Sequence, residues 1–398
     1  MKKIWSKYLK IFLYVFLLEA ALTGNATGEE IKIGVILPLT GKLEEFGNIE
    51  QKSFLMALNE INASGGLDGK TIDLIFEDTE GKLEKGRLAM KKLFSRDRVL
   101  AVCGGVSSSV AFKAAAVAQD LKVPFLVNTA SADKITEMGW DYIFRLNPPA
   151  SEYINALVSF LTKVTSVKTA TIVYQRTPGR FGLRTFAKLC KKLHIKTIIR
   201  QSFAPGTTDF TPLLTKIKGK KSDLVYIVSC KKDISLIMQQ AKELDITSRL
   251  FVWRKIGPSL DEFQTTAEED MEYVYSPALW APTVPYPAAL QYHEKFLSEY
   301  GLPPGYHGAQ AYSALYVIRD ALKRAKSLTC EDIRNALSET DMMTVFGPVK
   351  FVSYGKKTQQ NEILSLLIQR LNNRPLVVWP VGVAMHQYVY PVPGWENR

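Results

Sequence analysis

Two α/β lobes, each a doubly wound parallel sheet and joined by three hinge crossings, are what this sequence predicts. Three observations lead there. From Ile31 onward short β-rich runs alternate with longer amphipathic stretches; the alternation restarts after Asn147-Pro148-Pro149; and breaks near Pro148, Ser276 and Gly347 let the chain pass between the halves. Strand–helix alternation at this spacing implies right-handed crossovers and parallel pairing.

In the first half, Ile31–Leu37, Thr71–Glu77, Val99–Gly104 and Val123–Asn128 read as strands, dense in β-branched and aromatic residues. Phe46–Asn62, Lys82–Arg96 and Ser107–Asp120 carry apolar residues at helical spacing. In the second half the strands are Lys168–Tyr174, Lys196–Phe203, Asp223–Ser229 and Leu250–Trp253, separated by helices at Ser151–Lys163, Gly182–Leu193, Phe210–Lys218 and Asp233–Leu244. A Pro-rich stretch from Ser276 to Pro287 leads to helices at Tyr286–Tyr300, Gly308–Arg324 and Cys330–Glu339. Gly347-Pro348 then opens onto a hairpin, Ile363–Leu371 and Pro375–Pro380, turning at Asn372-Asn373. The expected lobe one is residues 27–147 with 277–347, and lobe two is 148–276 with 348–398. Lobes assembled from separated pieces of chain favour hinged closure over beads on a string.

Residues 1–26 differ from the rest. Lys2, Lys3, Lys7 and Lys10 precede a short apolar run, Ile11 to Leu18, with small residues Gly24 and Ala26 before a plausible cut. That is the pattern of a secretory signal, too short to span a bilayer, with an uncleaved anchor as the alternative that Glu19 raises. The chain is therefore expected to work in the periplasm or another extracytoplasmic space.

The formal charge of +12 raises the question of nucleic acid. Removing the leader's four lysines and one glutamate leaves 47 positive and 38 negative groups, and the remaining lysines are dispersed on helix faces without an aromatic-interleaved patch. No nucleic-acid partner is expected. Four cysteines (Cys103, Cys190, Cys230, Cys330) exclude a disulfide-dense scaffold and are read as free thiols, with one bridge as the alternative. His194, His293, His307 and His386 have no metal-ligand spacing, and no G-x-S-x-G, H-E-x-x-H or C-x-x-C pattern occurs. No metal, cofactor or catalysis is expected.

Two glycine-containing motifs remain. Gly65-Gly66-Leu67-Asp68-Gly69-Lys70-Thr71 looks like a phosphate loop, but its glycines end a helix and lead into a strand, so it reads as a helix cap and turn. Gly104-Gly105-Val106-Ser107-Ser108-Ser109 has strand-to-helix order, and amides at a helix start lack internal partners. That start, ringed by hydroxyls, suits a carboxylate, unless a serine simply caps the helix. Thr129-Ala130-Ser131 occupies the equivalent place after the next strand, at the carboxyl edge where open α/β sheets bind ligands.

With these segments in view, the chain resembles the periplasmic solute-binding proteins of the leucine/isoleucine/valine type, receptors of ABC importers. The resemblance rests on Ile33-Gly34-Val35-Ile36-Leu37-Pro38-Leu39-Thr40-Gly41, Ala57-Leu58-Asn59-Glu60-Ile61-Asn62 followed by Gly65-Gly66, Gly105 to Ser109, Val123-Pro124, Phe144-Arg145, Gly347-Pro348-Val349 with Phe351, and Trp379-Pro380. It implies the type I periplasmic-binding-protein fold, a monomer closing on a small carboxylate-bearing solute such as an amino acid, and permease subunits in the membrane as partners.

The resemblance also implies site residues. Ser107, Ser108, Ser109, Thr129, Ala130 and Ser131 would hold the carboxylate, and Phe46 and Phe181 would form aromatic walls. In lobe two it implies an aromatic and an acidic group for an ammonium. Cys230 or Lys231 stands at the first of these positions and Arg254 or Lys255, after Trp253, at the second. Basic groups there oppose an ammonium and favour an aromatic or dicarboxylic acid without one; solvent-facing side chains are the bland alternative. The competing functional class is a ligand-sensing receptor component of a signalling system.

Overall fold

The computed structural model describes residues 30–177, 179–255 and 269–398; the expected signal segment lies outside them. Two sheets organise the chain.

The first begins with β1 (Ile31–Leu37), helix α1 (Glu44–Ala63), β2 (Ile72–Asp78), α2 (Leu83–Ser95), β3 (Ala101–Gly104), α3 (Ser108–Leu121), β4 (Phe125–Val127) and β5 (Ile143–Arg145). All four pairings among these strands are parallel, in the order β2-β1-β3-β4-β5. The second sheet repeats the plan with β6 (Thr169–Gln175), α5 (Arg180–Lys192), β7 (Lys196–Phe203), α6 (Thr211–Lys218), β8 (Leu224–Ser229), α7 (Lys231–Glu243), β9 (Leu250–Lys255) and β10 (Tyr275–Ala278), preceded by α4 (Asn155–Lys163). Its order is β7-β6-β8-β9-β10, again parallel. Each sheet thus has a switch point, β1/β3 in lobe one and β6/β8 in lobe two, where successive loops diverge and leave a crevice.

The chain then returns to the first lobe. Helices α8 (Ala289–Tyr300), α9 (Gly305–Arg324) and α10 (Cys330–Ser338) pack on it, with Tyr292 of α8 hydrogen-bonded to Ser53 of α1 at 2.9 Å. Strands β11 (Asp341–Thr344), β12 (Gly347–Tyr354) and β13 (Lys357–Asn361) extend the first sheet, β13 joining β5 in parallel at Gln360 and Arg145. Strands β14 (Leu366–Leu371) and β15 (Arg374–Trp379) complete the second, β14 lying antiparallel to β10. Asn372 and Asn373 both take positive φ at the β14–β15 turn, as a tight two-residue hairpin requires.

Two features depart from expectation. Gly347-Pro348 is no crossing: Thr344 pairs with Gly347 across a hairpin, and residues 348–361 stay in the first sheet. The third passage falls instead between Asn361 and Leu366, where Ser365 Oγ accepts from the Ala156 amide at 2.9 Å. A Gly-Pro pair marks a turn but does not say whether the chain leaves the sheet afterwards. Strands β5 and β10 to β13 were also unforeseen: β5 is only three residues long, and β10 runs into the Pro-rich stretch read as a connection.

Burial follows the pattern of the sequence. Residues Leu224–Ser229 of β8 are all buried, as expected of a strand covered on both faces. The Gly65–Gly69 motif caps α1, the Gly66 amide donating to Ile61 O at 2.9 Å, and Leu67 and Lys70 close the turn. Cys103 and Cys190 are buried and Cys230 and Cys330 half-buried, all four as free thiols.

Beside the first passage sits a buried polar network. Asn147 Nδ2 donates to Thr129 O at 2.6 Å and to the Tyr153 hydroxyl at 2.8 Å, while its Oδ1 accepts from Gln310 at 2.7 Å. Arg145, fully buried, donates to Gln360 Oε1, Ala132 O and Thr136 Oγ1 at 2.6, 2.6 and 2.9 Å. Burial lowers its pKa to about 10, so it stays charged at neutral pH, with its donors satisfied by neutral acceptors.

Candidate functional site

At the lobe-one switch point β3 ends in Gly104, whose φ of +117° and close approach to Ile36 leave no room for a side chain: a Cβ would stand 2.3 Å from Ile36 O. Gly105 also has positive φ, and its amide donates to the same carbonyl at 3.0 Å. The two glycines turn the chain sharply into α3. Ser107 is the N-cap residue of that helix, yet no side-chain hydrogen bond caps it. Its hydroxyl lies 3.2 Å from that of Ser109 instead. By contrast, Thr329 caps α10 in the ordinary way, accepting from the Asp332 amide at 3.2 Å. The first turn of α3 therefore keeps its amides uncapped by Ser107, beside two hydroxyls, at the carboxyl edge of the sheet.

The other residues of this edge build the wall. Ser108 Oγ accepts from the amides of Ser131 and Ala132, both at 3.1 Å, tying the loop after β4 to α3. The Ala130 amide is spent on Gly105 O at 2.8 Å. Thr129 donates its hydroxyl to Glu50 Oε1 at 2.7 Å. Ser131 faces the Tyr153 hydroxyl. The six expected lobe-one residues are thus brought together, but Ser107 and Ser109 present their hydroxyls at the helix start while Ser108, Thr129 and Ala130 are held within the protein.

Sequence reasoning missed the group behind this wall. Glu50 of α1 is fully buried and accepts from Asn128 Nδ2 and Thr129 Oγ1, both at 2.7 Å, and meets His307 Nδ1 at 2.8 Å. The His307 ring lies tilted against Phe46, centroids 4.5 Å apart, one helical turn before Glu50. The signal was available: Glu50 falls on the apolar face of α1 with Phe46, Ile49, Ser53, Phe54 and Ala57. An acid there needs buried donors.

Lobe two answers with different chemistry. Lys231 opens α7 behind an N-cap Cys230 and is half-buried. Phe181 lies in the first turn of α5; its side chain is outside the described residues. Trp253 is 1% exposed, and its indole donates to Ser229 O at 3.1 Å, which makes it a core residue under the edge. Arg254 and Lys255 end β9 and are half-buried. Arg254 packs on Gly182 of α5, where an added Cβ would meet its Cδ at 3.2 Å. Burial raises the pKa of both Tyr226 and Tyr153, and the nearby Arg254 charge partly offsets it at each. Tyr153 is also the partner of Asn147 and Ser131. A second missed group is Asp233, 3% exposed in the first turn of α7, accepting from Gln175 Nε2 at 2.8 Å.

This arrangement offers binding groups at the carboxyl edges of both sheets. Comparison with known proteins identifies it. The family model described as periplasmic binding protein matches residues 30–368. The chain belongs to the periplasmic binding protein family. Like the family, this periplasmic binding protein is a solute-binding protein and not an enzyme. Leu/Ile/Val-binding protein homolog 7 of Brucella melitensis is 25% identical over 388 residues, covering 94% of this chain and 97% of the relative. The leucine-, isoleucine-, valine-, threonine- and alanine-binding protein of Pseudomonas aeruginosa is 25% identical over 334 residues, covering 83% and 88%. Among solved structures, the branched-chain amino acid transporter substrate-binding protein of Streptococcus pneumoniae with isoleucine superposes with a TM-score of 0.66 at 24% identity, over 88% of this chain and 100% of that one. A solute-binding protein from R. palustris in complex with benzoate gives 0.67 at 17% identity, over 92% and 99%. Both share the type I periplasmic-binding-protein fold. Among the described residues no helix is long and apolar enough to cross a membrane.

Proposed function

We propose that this periplasmic binding protein captures a small carboxylate-bearing solute between its lobes and delivers it to the membrane subunits of an ABC importer. One observation carries the reading: the first turn of α3, uncapped by its own Ser107, beside the Ser107 and Ser109 hydroxyls at the lobe-one switch point. Such an edge holds an anion through amides and the helix dipole. Relatives named for leucine, isoleucine and valine binding support an amino-acid-like solute.

The lobe-two edge favours an acid without an ammonium. Its half-exposed charges are Lys231, Arg254 and Lys255, whereas its acid, Asp233, is almost fully buried and engaged with Gln175. Cations at that edge repel an α-ammonium and attract a second carboxylate or leave an aromatic body undisturbed. A thermal-shift and calorimetry screen of leucine, valine, benzoate and phthalate tests both levels. A ligand at a hundredfold excess over Kd stabilises by about 2.7 kcal/mol. Stabilisation by leucine or valine alone would overturn the ammonium-free preference, and stabilisation by none of the four carboxylates would overturn the carboxylate reading.

A further inference from the structure

We propose that Glu50 is the positioning residue of the lobe-one half-site: without touching solute, its carboxylate sets the loop after β4 and the Phe46 ring together. The inference rests on the solute-binding reading for its purpose, but its geometry stands alone. Glu50 is fully buried, and its two oxygens divide the work. Oε2 takes Asn128 Nδ2, while Oε1 takes the Thr129 hydroxyl and His307 Nδ1. A carboxylate is acceptor-only when ionised, so it suits a point where three donors from two separate elements converge. An amide of the same shape could accept at one atom only.

Each of the three arms ends at the site. Asn128 and Thr129 begin the loop whose amides reach Gly105 O from Ala130 and Ser108 Oγ from Ser131 and Ala132, so their placement fixes the register of that loop against α3. His307, from α9, is held by the carboxylate and the Phe46 ring, with the Tyr306 ring tilted against it at 4.4 Å. One buried carboxyl thereby couples the hydroxyl wall to the Phe46 ring. Removing it leaves Asn128 Nδ2 and the His307 donor without an acceptor in a dry interior, which loosens the loop before it loosens the sheet.

The test measures amide hydrogen exchange across the full chain, together with calorimetry using leucine and benzoate as probes. Glu50→Gln keeps volume but turns one acceptor into a donor facing Asn128. The expected result is exchange at least about tenfold faster at Ala130, Ser131 and Ala132, with β6 and β8 unchanged, because local opening reports local contacts. The affinity of whichever probe binds the wild type should fall about tenfold through the same lost hydrogen bonds. The double variant Glu50→Gln/Asn128→Asp returns an acceptor to the new amide donor and should restore part of the protection. Unchanged exchange in the loop, an equal rise in both lobes, or no recovery in the double variant would overturn the proposal. If neither probe binds the wild type, the solute class proposed above fails while the exchange result still decides the role of Glu50.

Discussion

The two lobes share one strand order and place their loops at equivalent edges, yet those edges are built from different chemistry. Lobe one uses glycines, hydroxyls and backbone amides, with Glu50 and Arg145 buried behind the wall. Lobe two uses ordinary backbone at the equivalent turn, Cys230 at φ −74° and ψ 172°, and puts cations on the edge with its acid buried. The contrast separates two tasks. On the proposed reading, lobe one would supply a cradle that any carboxylate can use, and lobe two the side-chain charge that selects among carboxylates.

The largest effect should come from breaking the backbone half of that contrast. Gly104→Ala forces a Cβ against Ile36 O at positive φ, and we expect a loss of about 3 kcal/mol or more in urea unfolding. The equivalent change in lobe two, Cys230→Ala, removes only a half-buried thiol and should cost less than about 1 kcal/mol. Equal losses would mean that the two turns are built alike after all.

Charge comes next. Arg254→Gln should weaken phthalate binding by roughly tenfold to a hundredfold, the scale of a charge-assisted hydrogen bond to its second carboxylate, and leave benzoate unchanged and leucine unchanged or improved. Ser107→Ala should weaken every carboxylate alike, by roughly threefold to tenfold, since it removes one neutral donor. Calorimetry with paired ligands separates the two: a uniform loss from Arg254→Gln, or a selective loss from Ser107→Ala, would reverse the division of labour between the lobes.

How much of this was legible beforehand follows the same line. Strand Lys196–Phe203 and the Asn372-Asn373 turn could be placed to the residue, because periodicity and turn chemistry are local. The lobe-one edge could be read from Gly104-Gly105 and the serines for the same reason. What could not be read is which serines face inward. Ser107 and Ser109 differ from Ser108 only in that Ser108 meets the amides of Ser131 and Ala132, a pairing of residues 23 and 24 positions apart. Trp253 was equally ambiguous, since a wall aromatic and a core aromatic look the same in a strand. The place of residues 348–361 depended on β13 finding β5, a contact over 215 positions that no local pattern announces.

The smallest expected effect concerns acid. Glu60 in lobe one and Asp223 in lobe two are hydrogen-bonded carboxylates outside the candidate site. For Glu60 in lobe one, burial pushes the pKa up, but hydrogen bonds from Lys295, Tyr312 and Tyr316 and the Lys295 charge outweigh it, so the carboxyl sits below its ordinary value. For Asp223 in lobe two, burial is likewise outweighed by the Lys168 amide, the Thr169 hydroxyl and amide, and Arg249. A carboxyl whose pKa is depressed on folding contributes stability that is present above its unfolded value and is lost as pH falls through the folded one. Both contributions should therefore be intact at neutral pH and fade below about pH 4. Glu60→Gln and Asp223→Asn should lower the urea midpoint at neutral pH and flatten its decline in acid. Asp223 gathers backbone amides and a hydroxyl at the entry to β6, whereas Glu60 meets a lysine and two tyrosines on the surface of three helices, so Asp223→Asn should flatten the curve more. A steeper decline in either variant would show that its carboxyl titrates above the unfolded value and that burial, not hydrogen bonding, governs it.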